Sequence, residues 1–128
     1  MQFSSVGGRV GGNPGLASYQ ADKFAADGFS RCLASETAAF RIKVLVVEPS
    51  GFATDWAGSS MTVETVPAEY ENTVGALLRL LRESGAAGDP VRAAEILVRV
   101  VKLPNLPSHL LLGGYAASAA PRLFQASD

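Results

Sequence analysis

The chain has 128 residues, 48% of them hydrophobic and 18% charged, with a formal net charge of −1. That fits one globular domain. There is no basic run interleaved with aromatics to suggest nucleic acid, no leader pattern at Met1, and no apolar stretch longer than segments such as Val44–Val47 or Leu110–Leu112, which are far too short to cross a bilayer.

Residues 1–15 are rich in Gly and Ser and close on Pro14–Gly15, the composition of a loop. From Leu16 to Phe40 the pattern is helical (16–40). Ala21, Phe24, Ala25, Gly28, Phe29, Cys32 and Leu33 recur at spacings of three and four. This stripe predicts the inward face, with Gly28 as a close-packing position and Cys32 in the core. Lys43–Glu48 (43–48) predicts a strand stopped by Pro49. Its unbroken apolar run implies cover on both faces, as in a parallel sheet, and a helix followed at once by such a strand is half of a βαβ unit. Ser50–Pro67 reads as a long loop, and Ala68–Ser84 as one amphipathic helix with Tyr70, Val74, Leu77, Leu78 and Leu81 inward; together they form the 50–84 region. Asp89 before Pro90 is a strong helix start. That helix carries Ala93, Ala94, Ile96, Leu97, Val100 and Val101 inward, and with the short strand His109–Gly113 it makes up 89–113. The Ala- and Ser-rich tail, 114–128, predicts weak order.

Tyr19 and Lys23, four apart on a helix, lie on one face one turn apart. A free tyrosine titrates near about 10, and an ammonium beside a phenol favours the phenolate, so such a pair suits proton transfer to a carbonyl. Ser5 lies fourteen residues before Tyr19, in a Ser pair entering a Gly turn, and the strand ends in Pro49–Ser50–Gly51–Phe52–Ala53–Thr54–Asp55. In open α/β sheets ligands sit beyond the carboxyl ends of strands, which would bring these segments to one edge. Phe52, Trp56, Met61 and Val63 suggest either an apolar pocket or lid packing. The single His and scattered carboxylates suggest no metal cluster; His109 reads as a structural residue at a strand start. The lone Cys32 suits a reducing, cytoplasmic compartment.

From Phe3 to Asp55 the chain closely resembles the classical short-chain dehydrogenase/reductase family, and more weakly to Gly113. The resemblance implies an α/β fold: the C-terminal part of a Rossmann-like, doubly wound parallel sheet. It implies an NAD- or NADP-dependent oxidoreductase acting on a small-molecule alcohol or carbonyl. Tyr19 would be the general acid/base, Ser5 would bind the reacting oxygen, and Lys23 would hold the nicotinamide ribose. Pro49, Gly51, Phe52 and Thr54 would line the cofactor, with 50–84 as substrate lid. A homo-oligomer through the 16–40 helix is a further implication.

There are departures. The Ser-to-Tyr spacing is one longer than is commonest, which leaves Ser4 as a backup for Ser5. Asp22 stands where a small residue is usual, Ser50 replaces a Gly, and Arg41 replaces a helix-ending Gly, which predicts a less relaxed helix terminus. The family's nucleotide-binding half, with its Gly-rich turn and NAD/NADP-selecting residues, has no match here. The chain thus reads as a truncated domain, from a misplaced gene start or a shortened frame, with doubtful cofactor binding alone. Two other readings stand: a non-catalytic, dimerising fragment, and a Tyr/Lys epimerase or dehydratase of the extended relatives.

Overall fold

A computed structural model of the chain describes residues 1–119. Three parallel strands form the sheet, β1 (Gln2–Phe3), β2 (Val46–Pro49) and β3 (His109–Leu112), in the order β1-β2-β3. Gln2 pairs with Val46, and β2 then runs beside β3 from Val46↔His109 to Pro49↔Leu112. The parallel arrangement agrees with the unbroken apolar run. The strand is displaced from its expected place, however: pairing begins at Val46 instead of Lys43 and passes through Pro49. Pro49 has no N–H to offer, but its carbonyl accepts from Val6 N at 2.9 Å, so the ladder continues.

Alternation along β2 divides the molecule into two layers. Leu45 and Val47 face one side, where they form the core with Leu112. The helix α4 (Pro90–Val100) covers this side with Ala93, Ile96, Leu97 and Val100. It starts where the sequence indicates: the Asp89 carboxylate accepts from Val91 N at 2.8 Å and Arg92 N at 3.4 Å. Ala94 and Val101, expected inward, are exposed because they lie outside the stripe that meets the sheet.

Three expectations on the other side need correction. The 1–15 segment is not all loop: it contains a short helix, α1 (Gly7–Val10), too brief to show a periodicity. The long helix α2 (Ala17–Thr37), continued by a 3-10 turn at Ala38–Phe40, turns its polar face inward. Gln20 and Ser30 are buried, while Phe24 (47% exposed), Phe29 (62% exposed), Gly28 and Cys32 face out. A Cβ built on Gly28 meets nothing within 4 Å, so this glycine is not a packing position. The inward hydroxyls are tolerated because they are bonded. Ser30 Oγ donates to Ala26 O at 2.6 Å, and Ser4 Oγ donates to Lys23 O at 2.8 Å. At the end of the 3-10 turn, Arg41 takes φ +58°, a left-handed conformation that agrees with the missing glycine.

The third correction concerns 68–84. In place of one helix there is a 3-10 turn (Ala68–Tyr70), a π turn (Glu71–Gly75) and then α3 (Ala76–Glu83). Val74, Leu77, Leu78 and Leu81 are half-buried, but Tyr70 is exposed. The last strand gives way directly to α5 (Gly114–Ala119), where weak order was expected; residues 120–128 lie outside the described part. No described helix is long and apolar enough to cross a membrane.

Candidate active site

The parallel ladder carries the chain from β1 to the carboxyl edge of the sheet. Ser4 N donates to Val47 O and Val6 N to Pro49 O, each at 2.9 Å, so Ser5 is held beside the end of β2. The two serines have different partners. The Ser4 hydroxyl is committed to the backbone of α2 at Lys23. Among the described residues Ser5 Oγ accepts only from Gly7 N, at 3.1 Å, within its own turn, and none of them takes its proton. A Cβ placed on Gly7 would lie 3.5 Å from Ser5 Oγ, 3.6 Å from Tyr19 Cε1 and 3.8 Å from Gln20 Nε2. These three side chains therefore surround one small space that glycine leaves open. At Gly8 an added Cβ would come within 2.7 Å of Lys23 Cβ and 2.8 Å of its carbonyl carbon, so α1 meets α2 at van der Waals contact.

Lys23 Nζ lies 5.7 Å from the centroid of the Tyr19 ring. The Asp22 side chain faces solvent, but its carboxylate comes within 3.7 Å of Lys23 Nζ, an exposed contact of small energetic weight. The indole of Trp56 covers Tyr19, with ring centroids 5.4 Å apart at 53°. Gln20 Nε2 is buried and has no hydrogen-bond partner among the described residues. Sequence reasoning missed Gln20; its one signal was a polar residue directly after Tyr19, on the same side of the helix.

The 49–54 segment divides. Pro49 ends β2, and Gly51 is exposed at the edge. The Phe52 ring packs against the Leu45–Val47–Leu112 core, and its backbone bridges to Gly88. Thr54 Oγ1 accepts from Trp56 N at 3.4 Å, which caps the turn that carries the indole. Of the four apolar loop residues, Phe52 is core and Trp56 covers Tyr19. Met61 and Val63 line a pocket of about 430 Å³, together with Leu16, Val66, Val74 and Leu78.

Behind the edge lies an ion-pair network that the sequence scatters. Glu48, 1% exposed, receives Arg9 Nε at 2.8 Å, which ties α1 to β2. Asp27, one turn beyond Lys23 on α2, takes His109 Nε2 at 2.6 Å and Arg31 Nε at 2.8 Å. His109 Nδ1 lies 3.0 Å from Ser108 Oγ. The proton on Nε2 goes to Asp27, so Arg31 Nη2 at 3.4 Å from the same nitrogen is a contact and not a second bond. Burial pushes the Asp27 carboxyl up, but the His109 hydrogen bond and the Arg31 guanidinium outweigh it and hold it below the usual range. Potential ligand atoms of Asp27, Glu48 and His109 lie within 4.8 Å of one another. Each carboxylate already carries a guanidinium, so the group is a structural network first.

The short chain dehydrogenase family matches residues 1–64. The chain is 46% identical to "Oxidoreductase BOA17" of Botryotinia fuckeliana, over 99% of this chain and 48% of that protein. It is 30% identical to the 3-ketodihydrosphingosine reductase of Bacteroides thetaiotaomicron, over 88% of this chain and 43% of that one. The crystal structure of a short-chain dehydrogenase from Streptomyces avermitilis superposes with a TM-score of 0.82 at 33% identity, over 97% of this chain and 45% of that one. The chain therefore spans about half the length of the relatives it matches, and its fold is a corresponding part of theirs. With its parallel sheet and its Ser5–Tyr19–Lys23 edge, it belongs to the short-chain dehydrogenase family of oxidoreductases.

Proposed function

We propose that this chain carries the proton-transfer side of an NAD(P)-dependent oxidoreductase acting on an alcohol or carbonyl. The observation that supports this most is the gathering of Ser5 Oγ, the Tyr19 ring and the Gln20 amide around the space at Gly7, with Lys23 on the same face of α2. The donors suit the nicotinamide-ribose end of the cofactor: a hydroxyl, a phenol, an ammonium and a buried amide with an unused N–H. Bound there, the nicotinamide supplies or takes the hydride.

The remaining work falls to the chain. Ser5 donates to the carbonyl oxygen and steadies its developing charge. Tyr19 gives that oxygen its proton in reduction and removes it in oxidation. Lys23 holds ribose hydroxyls and stabilises the negative charge left on Tyr19. Pro49, Gly51, Phe52 and Thr54 would border a bound nicotinamide, and Trp56, packed beside Tyr19, would shield it from water.

Titration of NADH and of NADPH against the chain, followed by cofactor fluorescence, tests this reading. Saturable binding that weakens in Lys23→Met is expected. Binding indifferent to Lys23 contradicts the role given to that ammonium; no binding contradicts cofactor binding by this chain and favours the second reading.

That second reading is a non-catalytic, dimerising module. It draws on the outward stripe of α2, where Phe24, Phe29 and Cys32 lie open. Whichever reading holds, we propose pairing of two copies through this stripe. Sedimentation should show a dimer that Phe29→Ser dissociates; a monomer at all concentrations contradicts the pairing.

A further inference from the structure

The pocket beside α2 has a chemistry that names its guest. Its apolar lining comes from Leu16, Met61, Val63, Val66, Val74 and Leu78. Among the described residues, Glu64 is the one charged side chain lining it, and no Lys, Arg or His does. At about 430 Å³ it falls within the ordinary range for a small organic ligand, roughly 300–1,000 Å³. Its position ties it to the reaction. Leu16 caps α2 one turn before Tyr19, and the loop whose Trp56 covers Tyr19 continues into Met61 and Val63. Its floor is tightly set: Gly15 takes φ +76°, and a Cβ there would fall 2.8 Å from Val74 Cγ1.

We infer that the pocket takes the uncharged alkyl chain of a ketone or secondary alcohol, and that it disfavours a guest with an anionic end. The inference rests on the oxidoreductase reading for its reacting group, but not for the pocket itself. An aliphatic chain loses water against six apolar side chains, and each methylene that enters adds to affinity. A carboxylate or phosphate would be desolvated with no cation among the described residues to receive it, and would face Glu64.

Calorimetric titration of the chain with 2-hexanone, 2-octanone, 2-decanone and decanoate tests this without cofactor or turnover. Affinity should rise about fourfold per methylene until the pocket is full. Decanoate should bind more than about tenfold weaker than 2-decanone. Val74→Phe should remove most of the 2-decanone affinity. Met61→Lys, on the lid and less demanding of the fold, should narrow or reverse the preference over decanoate. Circular dichroism establishes that each variant is folded. Val98→Ser should leave the titration unchanged, since its side chain is exposed on α4 and does not line the pocket.

Affinity independent of chain length, equal or tighter binding of decanoate, loss of binding in Val98→Ser with Val74→Phe unaffected, or no ketone binding overturns the inference. Chain-length-dependent binding without any hydride transfer would reject the oxidoreductase reading and leave the pocket's preference standing. Hydride transfer with flat chain-length dependence would do the reverse.

Discussion

Asp27 on α2 and His109 at the start of β3 meet at 2.6 Å although they lie 82 residues apart in sequence. The contact sits one turn beyond Lys23, so it fastens the helix that carries Tyr19 and Lys23 to the sheet's last strand. Because the Asp27 carboxyl is held low in the folded chain, its contribution is present above the unfolded carboxylate range, near about pH 3.9, and is lost as pH falls through the folded value. Urea unfolding from pH 6 downward to about pH 3 should show this loss, and Asp27→Asn should flatten it. The same slope in both proteins would remove the contact from the stability account. His109→Ala should cost about 1.5–3 kcal/mol at neutral pH, because it strips a charge-assisted bond from a sheltered carboxylate.

Glu48 presents a harsher case. It is almost wholly buried, and its ion pair runs to Arg9. Glu48→Ala leaves a sheltered guanidinium without its carboxylate and should cost about 3–5 kcal/mol. The double replacement Arg9→Leu with Glu48→Leu should cost less than either single change, because it leaves no orphaned charge. A double variant as unstable as the sum of the singles would contradict this.

Gly8→Ala tests the seat of Ser5. The added methyl meets the Lys23 backbone, which cannot yield, so α1 must move off α2. We expect a loss of about 1–3 kcal/mol in unfolding free energy. An unchanged stability would show that the α1–α2 contact is looser than described.

Two substitutions should stabilise. Gly28→Ala adds a methyl in open space on a helix and should gain about 1 kcal/mol in a monomer. Arg41→Gly relieves the left-handed backbone at the end of the 3-10 turn and should gain about 1 kcal/mol. Denaturant midpoints at unchanged slope measure both.

What the sequence made legible was local chemistry of known spacing. Asp89–Pro90 announced a helix start, Val44–Val47 a parallel strand, and Tyr19 with Lys23 a shared helix face. The inward side of α2 was not legible. Gln20, Lys23, Asp27 and Ser30 repeat with the same period as the stripe of Phe24, Gly28 and Cys32, and periodicity does not say which stripe is covered. The apolar one looked buried; the polar one is turned inward, with Ser30 bonded to Ala26 O and Asp27 to His109, while Gln20 Nε2 has no partner among the described residues. The difference between Ser4 and Ser5, one hydroxyl bonded to the α2 backbone and the other held in its own turn, leaves no mark in the spacing either. The Asp27–His109 and Arg9–Glu48 pairs lie too far apart in sequence for any spacing rule. The π turn at Glu71–Gly75 leaves no mark in a pattern that reads as continuous helix.

The central claim is that Tyr19 moves the proton for hydride transfer at this edge. The most direct measurement is the rate of NADPH or NADH oxidation with 2-octanone by the chain and by its Tyr19→Phe variant, which keeps the ring under Trp56 and removes only the hydroxyl. The account predicts turnover in the parent chain and a fall of about 10²–10⁴-fold in the variant. Equal rates in the two proteins, or no turnover in either, would contradict it.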